Sequence, residues 1–583
     1  MFNKSLALPK TNALLVVYSL PVILLLWFIT TFSVNVPFWD DWGLVNFFEK
    51  IYSGTINFGD FFAQHNEHRI FFPRIIFAII AFSSKWNIKL ENYFSFLLAL
   101  VNFVFLYKIA ASSYNENNKI LFHLFNITTC IINFSLIQYE NWLWGFQIAW
   151  LFINTCLIIA VFILTVPKNF HPNSRLLLAS ICCFIASFSS AHGLLSWLAV
   201  LPSVYLIEGT TKQKKIRFLV WVVLFSFCVA IYFIGYQKPS QHPSIFFLLQ
   251  QPFITSEFFF TIIGSSFYKN IFPPVVIGLI ILFVFLFFNV TCFKNYQSDF
   301  INKANPWISL GWFPILFALI TTVGRAGMGI EQAAISRYKT VSILLIISCL
   351  QLWRLCILYK GKDAGKNTYI LFSQSFLVFL IFIFVFSSTN SIIEVQNSFI
   401  QRKAGQNCLE IINFLDKSIS NSPGNCLQFI YPEELQILKL SKTLQKLQFR
   451  DFPQNINFLT KVEKFHGFID VPSTTKQALN LRRSDTLKLL GWAILPEQQE
   501  QPPIVLLSHG NNRSFFATGL INLTRPDVAT ALHSSLYKTS GWEANVSLKS
   551  LPAGETVIKG WVYDRKNRQF IQLNNEPKIK IME

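Results

Sequence analysis

The run "IFFPRIIFAIIAFSS" (residues 70–84) decides the topology of the chain, because every later loop changes sides if this run crosses a membrane. It is apolar, yet only 15 residues long, and it carries Pro73 and Arg74. A helix rises about 1.5 Å per residue and needs about 20 residues to cross a hydrocarbon core. Residues 70–84 are therefore expected to lie in the interface or to dip in and out of it.

Outward from this run, nearly charge-free stretches of spanning length recur. Spans are expected at about 13–32, 93–111, 119–137, 145–166, 174–190, 193–207, 216–236, 272–293, 306–323, 340–358 and 368–387. These are about 11 helices in a transmembrane domain of residues 1–387. The 583-residue chain is 52% hydrophobic and 14% charged, with mean hydropathy +0.44, which excludes an ordinary soluble enzyme. Its apolar start has a basic end and no small-residue cleavage site, so it reads as a retained first span.

The loops test the reading of 70–84. With the N-terminus cytoplasmic, "PKNFHPNSR", "EGTTKQKKIR", "FKNYQSDFINK" and "YKGKDAGKN" all fall inside. They help place 16 of the 26 Lys and Arg of residues 1–387 on that side, as the positive-inside rule requires. The same residues hold 13 Asp and Glu, so they supply +13 of the net +19, and loop topology accounts for that charge without a nucleic-acid partner. The loop 33–92 and everything after 387 are then extracytoplasmic, on a bacterial-type plasma membrane.

Beyond the spans the composition changes. Residues 388–470 read as an exported helical region, and 471–583 as a small antiparallel β-sandwich of short runs such as "TLKLLGWAIL", "PPIVLLSHG" and "ETVIKGWVYD". Cys408 and Cys426 are the only cysteines of this half, and a disulfide between them is expected in an exported region. Trp492, Trp542 and Trp561 suit either glycan binding or, in so small a domain, the core.

Candidate chemistry concentrates in the outer loops. In "FWDDW", Asp40 and Asp41 stand between Trp39 and Trp42. One carboxylate suits a helix cap, which leaves the other to aim at a site. The tryptophans suit an interfacial belt or a sugar ring. "DFFAQHNEHRIFFPR" adds His65, Glu67, His68 and Arg69, either as a polar rim or, less in keeping with metal-site patterns, as ligands of a divalent metal. Glu140, beside Trp142 and Trp144, is an interfacial acid or a functional one. His192 lies at the outer face beside Gly193, and His242, on a long outer loop, receives no role. "GRAGMGIEQAAISRYKT" gathers Arg325, Arg337, Tyr338 and Lys339 among glycines that let backbone approach a ligand. Cations on this side suggest a bound phosphate or anionic lipid headgroups.

Together these features resemble the GT-C superfamily of membrane glycosyltransferases, in which a first span leads into an outer loop with an acidic motif, then surface helices and many spans. "FWDDW" matches the acidic motif in placement, and 70–84 matches the surface helices. The resemblance covers roughly residues 13–387. It implies a polyprenyl-phosphate-linked sugar donor, an inverting transfer to an envelope glycan, lipid or protein acceptor, and a catalytic role for Asp40 and Asp41. Rival readings are a secondary transporter or flippase, and a structural envelope protein. The first predicts internal repeats, and none is evident in the sequence.

Overall fold

A computed structural model describes residues 11–167, 169–240, 242–244, 246–267, 273–294, 298–360, 366–422, 424–460, 464–472 and 478–583. The chain divides into two compact units. The first comprises residues 1–33, 57–79 and 89–395, and the second comprises 34–56, 80–88 and 396–583. The loop 33–92 is thus shared between two units, and the boundary between the spans and the C-terminal part falls within the long helix Lys366–Glu410.

Among the described residues, nine helices are long and apolar enough to cross a membrane. They run from Asn12–Phe32 to Gln374–Glu410 and follow the expected spans closely. The outward side chains of the first helix, among them Leu15, Leu20 and Ile23, are exposed as a lipid-facing surface requires. The expected pair 174–190 and 193–207 appears as the shorter helices Pro172–Ser187 and Ala191–Tyr205. Phe71–Ser84 is a 14-residue helix, short of a span. The sequence reading missed Pro252–Gly264, a 13-residue apolar helix.

Hydrogen bonds sort the helix ends into two groups. At one end, Arg175 donates to Glu208 (2.7 Å), Arg354 to Ser113 (2.8 Å) and Tyr359 to Asp299 (2.8 Å). The basic stretches lie at this end; residues 168, 295–297 and 361–365 of them lie outside the described residues. At the other end, Arg325 meets Glu67, and Glu140 meets the first turn of Ser336–Lys360.

The second unit is built on a disulfide, a helix and a sheet. Cys408 and Cys426 are bonded, with Cα atoms 6.2 Å apart. Phe48 packs on Trp86 and Phe449, and Arg450 donates to the carbonyls of Lys85 and Trp86. These contacts draw residues 34–56 and 80–88 into this unit.

Ten strands are joined in one hydrogen-bonded network. In hydrogen-bonded order it runs Asn457–Leu459, Gln569–Gln572, Gly554–Asp564, Ile504–His509, Ala517–Leu523, Gly541–Ser547, Thr486–Ala493 and Gly467–Val471. Lys578–Met582 pairs with the start of Gly554–Asp564 and carries Leu479–Arg482 in parallel. The sheet therefore begins before residue 471, the expected edge of the domain. Alternate residues of its strands, such as Leu487, Leu489, Val505, Leu507, Val546 and Ile579, join one apolar core, with Trp542 at its centre. Trp561 is buried too, and its indole donates to Ser508 (2.9 Å), so both tryptophans serve the fold.

Candidate functional site

Residues 63–69, "AQHNEHR", form a two-stranded hairpin in which His65 pairs with His68 and Gln64 with Arg69. His65 and His68 are therefore a cross-strand pair. Asn66 takes the left-handed conformation (φ 49°) that asparagine tolerates at a turn. The hairpin is fixed to the end of the helix Thr211–Phe233. Tyr232 donates its hydroxyl to the Glu67 carbonyl (2.8 Å), and Arg69 donates to the carbonyls of Tyr232 (2.6 Å), Phe62 (2.8 Å) and Ile234. A helix end leaves such carbonyls unpaired, so Arg69 acts as a clamp and not as a ligand-binding cation. Arg74 does similar work on the carbonyls of Phe61 and Ala63.

This clamp presents Glu67 to three bases. Arg325 Nη2 lies 2.5 Å from Oε1, His68 Nε2 lies 3.5 Å from Oε1, and His242 Nε2 lies 3.3 Å from Oε2. The Glu67 side chain is 12% exposed. Burial pushes its carboxyl up, but His68, Arg325 and the Arg325 hydrogen bond outweigh burial and hold it well below the usual carboxylate range. The backbone N–H of Ala191 donates to His68 Nδ1 (3.3 Å), which leaves Nε2 to face Glu67. Behind them His192 bonds Thr321 (3.0 Å) and packs on Trp150.

His242, Thr321 and Trp150 were not legible as members of this cluster. Glycine gave the one signal for His242: a Cβ on Gly327 would lie 2.7 Å from Pro243, and one on Gly324 would lie 3.8 Å from His242. The space these glycines leave is filled by the His242 loop of the chain itself, where a ligand was expected.

The basic cluster stays partly together. Arg325 pairs with Glu67 and neighbours Tyr338, which is fully buried against Trp150 and Phe317, and the Arg337 guanidinium lies 5.7 Å over the Trp144 ring. Glu140 Oε2 accepts from the backbone N–H of Arg337 (2.9 Å), so it caps the helix Ser336–Lys360 from another segment. Lys339 faces a cavity of about 470 Å³ instead.

In the second unit, Trp39–Leu44 is a short 3-10 helix. Asp41 is buried, and its Oδ2 accepts from the backbone N–H of Phe38 (2.9 Å), which is the reach-back of a capping residue. Asp40 is half-buried. The tryptophans part company: Trp42 is buried beside Tyr431, whereas Trp39 is 46% exposed with a left-handed backbone (φ 48°).

Among the described residues no group of three or more His, Cys, Asp and Glu side chains is arranged to hold a metal ion. The His65 ring packs against that of Phe146, with centroids 4.8 Å apart and planes tilted by 44°. No protein-family model, curated protein or solved structure matches the chain.

Proposed function

We propose that the chain is a membrane glycosyltransferase, moving a sugar from a polyprenyl-phosphate donor to an envelope glycan, lipid or protein acceptor on the extracytoplasmic face. The observation that carries this reading is Trp39. A bulky residue held at positive φ is strained, and such strain persists where the surroundings and function require it. The strain sets an exposed indole directly before Asp40, the arrangement a sugar-stacking platform beside a carboxylate needs. Asp41 is occupied as a cap, so the division of labour between the two acids falls to Asp40 as base.

In the reaction, the acceptor hydroxyl oxygen attacks the anomeric carbon with inversion and its proton passes to Asp40. The bond from that carbon to the phosphate oxygen breaks, and polyprenyl phosphate leaves. The departing phosphate needs fixed positive charge where its own negative charge develops. Sidedness rests on the positive-inside rule, since the basic stretches lie at the end of the first unit opposite Glu67. The Cys408–Cys426 disulfide suits an oxidising compartment.

A secondary transporter or flippase is the second reading, favoured by the half-length helix Pro252–Gly264. The test is transfer of label from a panel of radiolabelled polyprenyl-phosphate sugars by the purified chain in lipid nanodiscs. Product that disappears with Asp40→Asn supports the transferase. Translocation of a labelled lipid without any transfer replaces it with the second reading.

A further inference from the structure

Two cavities of the second unit share a wall at Tyr563 and Arg565. The larger, of about 500 Å³, lies between the end of the helix Lys366–Glu410, the loop after Thr486–Ala493 and two strands of the sheet. Its apolar wall includes Ile400, Leu495, Pro502 and Ile521. The smaller, of about 280 Å³, reaches Gln406 and Arg568. These sizes suit small organic ligands or short segments of a chain. The strands that reach the larger cavity, Ala517–Leu523 and Gly554–Asp564, are each paired on both sides. They offer no free edge on which an extended peptide could add a strand.

Two polar side chains of the lining are more than nine-tenths buried, Asn407 at 9% exposure and Tyr563 at 5%. The Asn407 amide and the Tyr563 hydroxyl make no hydrogen bond among the described residues. Each offers both a donor and an acceptor. Water serves such groups in an open cavity, and a ligand that displaces it must replace its hydrogen bonds or lose affinity. A hydrocarbon replaces none. A simple anion only accepts, so it leaves the Asn407 carbonyl unpaired. A sugar hydroxyl donates and accepts, and the C–H faces of the ring suit Ile400, Leu495 and Pro502. Charge at the rim narrows the class. Lys403 pairs with Glu500 (2.8 Å) and Arg565 with Glu410 (2.5 Å), both at partly exposed positions. The Lys566 ammonium is exposed and has no acidic partner among the described residues. It adds a weak, salt-sensitive attraction for an anion.

We propose that this pair of cavities binds an acidic oligosaccharide. One ring sits in the larger cavity with its hydroxyls on Asn407 and Tyr563, its carboxylate or phosphate faces Lys566, and the chain continues past Arg565 into the smaller cavity. The lining includes neither Trp39 nor Asp40, and the readout is binding, so the site stands or falls separately from the transfer reading.

Fluorescence-polarisation titration of the purified full chain in nanodiscs tests it, with a labelled panel of uronate-bearing, phosphate-bearing and neutral oligosaccharides of matched length and an acidic peptide. At low salt an acidic oligosaccharide should bind saturably, about two- to fivefold tighter than its neutral counterpart, the ratio that one exposed charge pair supports. High salt and Lys566→Gln should each erase that ratio. Asn407→Ala and Tyr563→Phe should weaken acidic and neutral sugars alike by about two- to tenfold, the loss of one neutral hydrogen bond, at an unchanged unfolding temperature. Inorganic phosphate at the sugar's concentration should not displace it. No saturable binding of any sugar, preference for the peptide, full displacement by phosphate, or binding that survives both substitutions overturns the proposal. Hydrogen exchange gives a check that needs no variant. The bound sugar should slow exchange in residues 495–503 and 563–568, and protection confined to other segments overturns the proposal.

Discussion

Arg325 donates from Nη2 to Glu67 Oε1 across 2.5 Å of space and 258 residues of sequence. Both side chains are largely shielded, so neither can recover water if the other is removed. Breaking such a pair costs about 3–5 kcal/mol, because it leaves a charge without its partner. Arg325→Gln and Glu67→Gln should each lower unfolding stability in detergent on that scale. The double variant should be less destabilised than the sum, since no lone charge remains. Additive losses would mean that the two residues are not coupled.

The same cluster sets a dependence on acid. Burial, partly offset by Glu67 and reinforced by Arg325, pushes the His242 imidazole below its ordinary value. Between about pH 6.5, where the unfolded imidazole titrates, and its lower folded value, the unfolded chain takes up a proton that the folded chain refuses. Stability should therefore fall as pH drops through that window, and His242→Asn should flatten the fall. Glu67 is also held down, so its contribution is complete above the ordinary carboxylate range and disappears only as pH falls below it. Thermal unfolding from about pH 7.5 to about pH 2.5, well below the ordinary carboxylate range, separates the two windows. A profile unchanged by His242→Asn would remove the histidine from the account.

Small residues do different work at different places. A Cβ on Gly278 would lie 2.0 Å from the Phe260 carbonyl oxygen, and one on Gly264 would lie 1.9 Å from that of Pro274, so the helices Pro252–Gly264 and Pro274–Lys294 meet backbone to backbone. Gly278→Ala should cost about 1–3 kcal/mol through forced separation of the helices. Gly324→Ala, whose Cβ meets only His242 at ordinary contact distance, should stay within about 0.5 kcal/mol. Equal sensitivity of the two positions in a detergent melt would refute this packing account.

The spans were legible because each is set by its own residues: about 20 apolar positions suffice, whatever they touch. Phe71–Ser84 was legible by length for the same reason. Pro252–Gly264 was not, since 13 apolar residues look alike in a core, a loop or half a span. In the candidate site, Glu67 and His68 stood out as charges at a membrane edge, but their partners come from loops some 120 to 260 residues away, and composition carries no register between loops. Glu140 looked functional because it is an acid at the interface; its carboxylate instead answers an unpaired N–H of another helix, which only the fold reveals. The strands were readable from alternation, whereas their closure into one sheet depends on pairings such as Gly554–Asp564 with three neighbours.

Asp40 and Asp41 are adjacent, yet they should answer substitution in opposite ways. Asp41 holds the Phe38 N–H at 2.9 Å from a buried position. An asparagine there offers the same acceptor, so Asp41→Asn should keep both fold and transfer, while Asp41→Ala should cost about 0.5–2 kcal/mol of stability. An asparagine at 40 cannot take a proton, so Asp40→Asn should reduce transfer by about 10²–10⁴ at an unchanged melting temperature. Trp39 gives an independent arm. Trp39→Gly suits the positive φ at that position, and this relief offsets part of the entropy that glycine adds to the unfolded chain, so it should cost no more than about 1 kcal/mol of stability while weakening use of the acceptor. Transfer that survives Asp40→Asn and fails in Asp41→Asn would exchange the two roles. Near-normal transfer in both variants and in the double variant would make these carboxylates structural and remove the base on which the transferase reading depends.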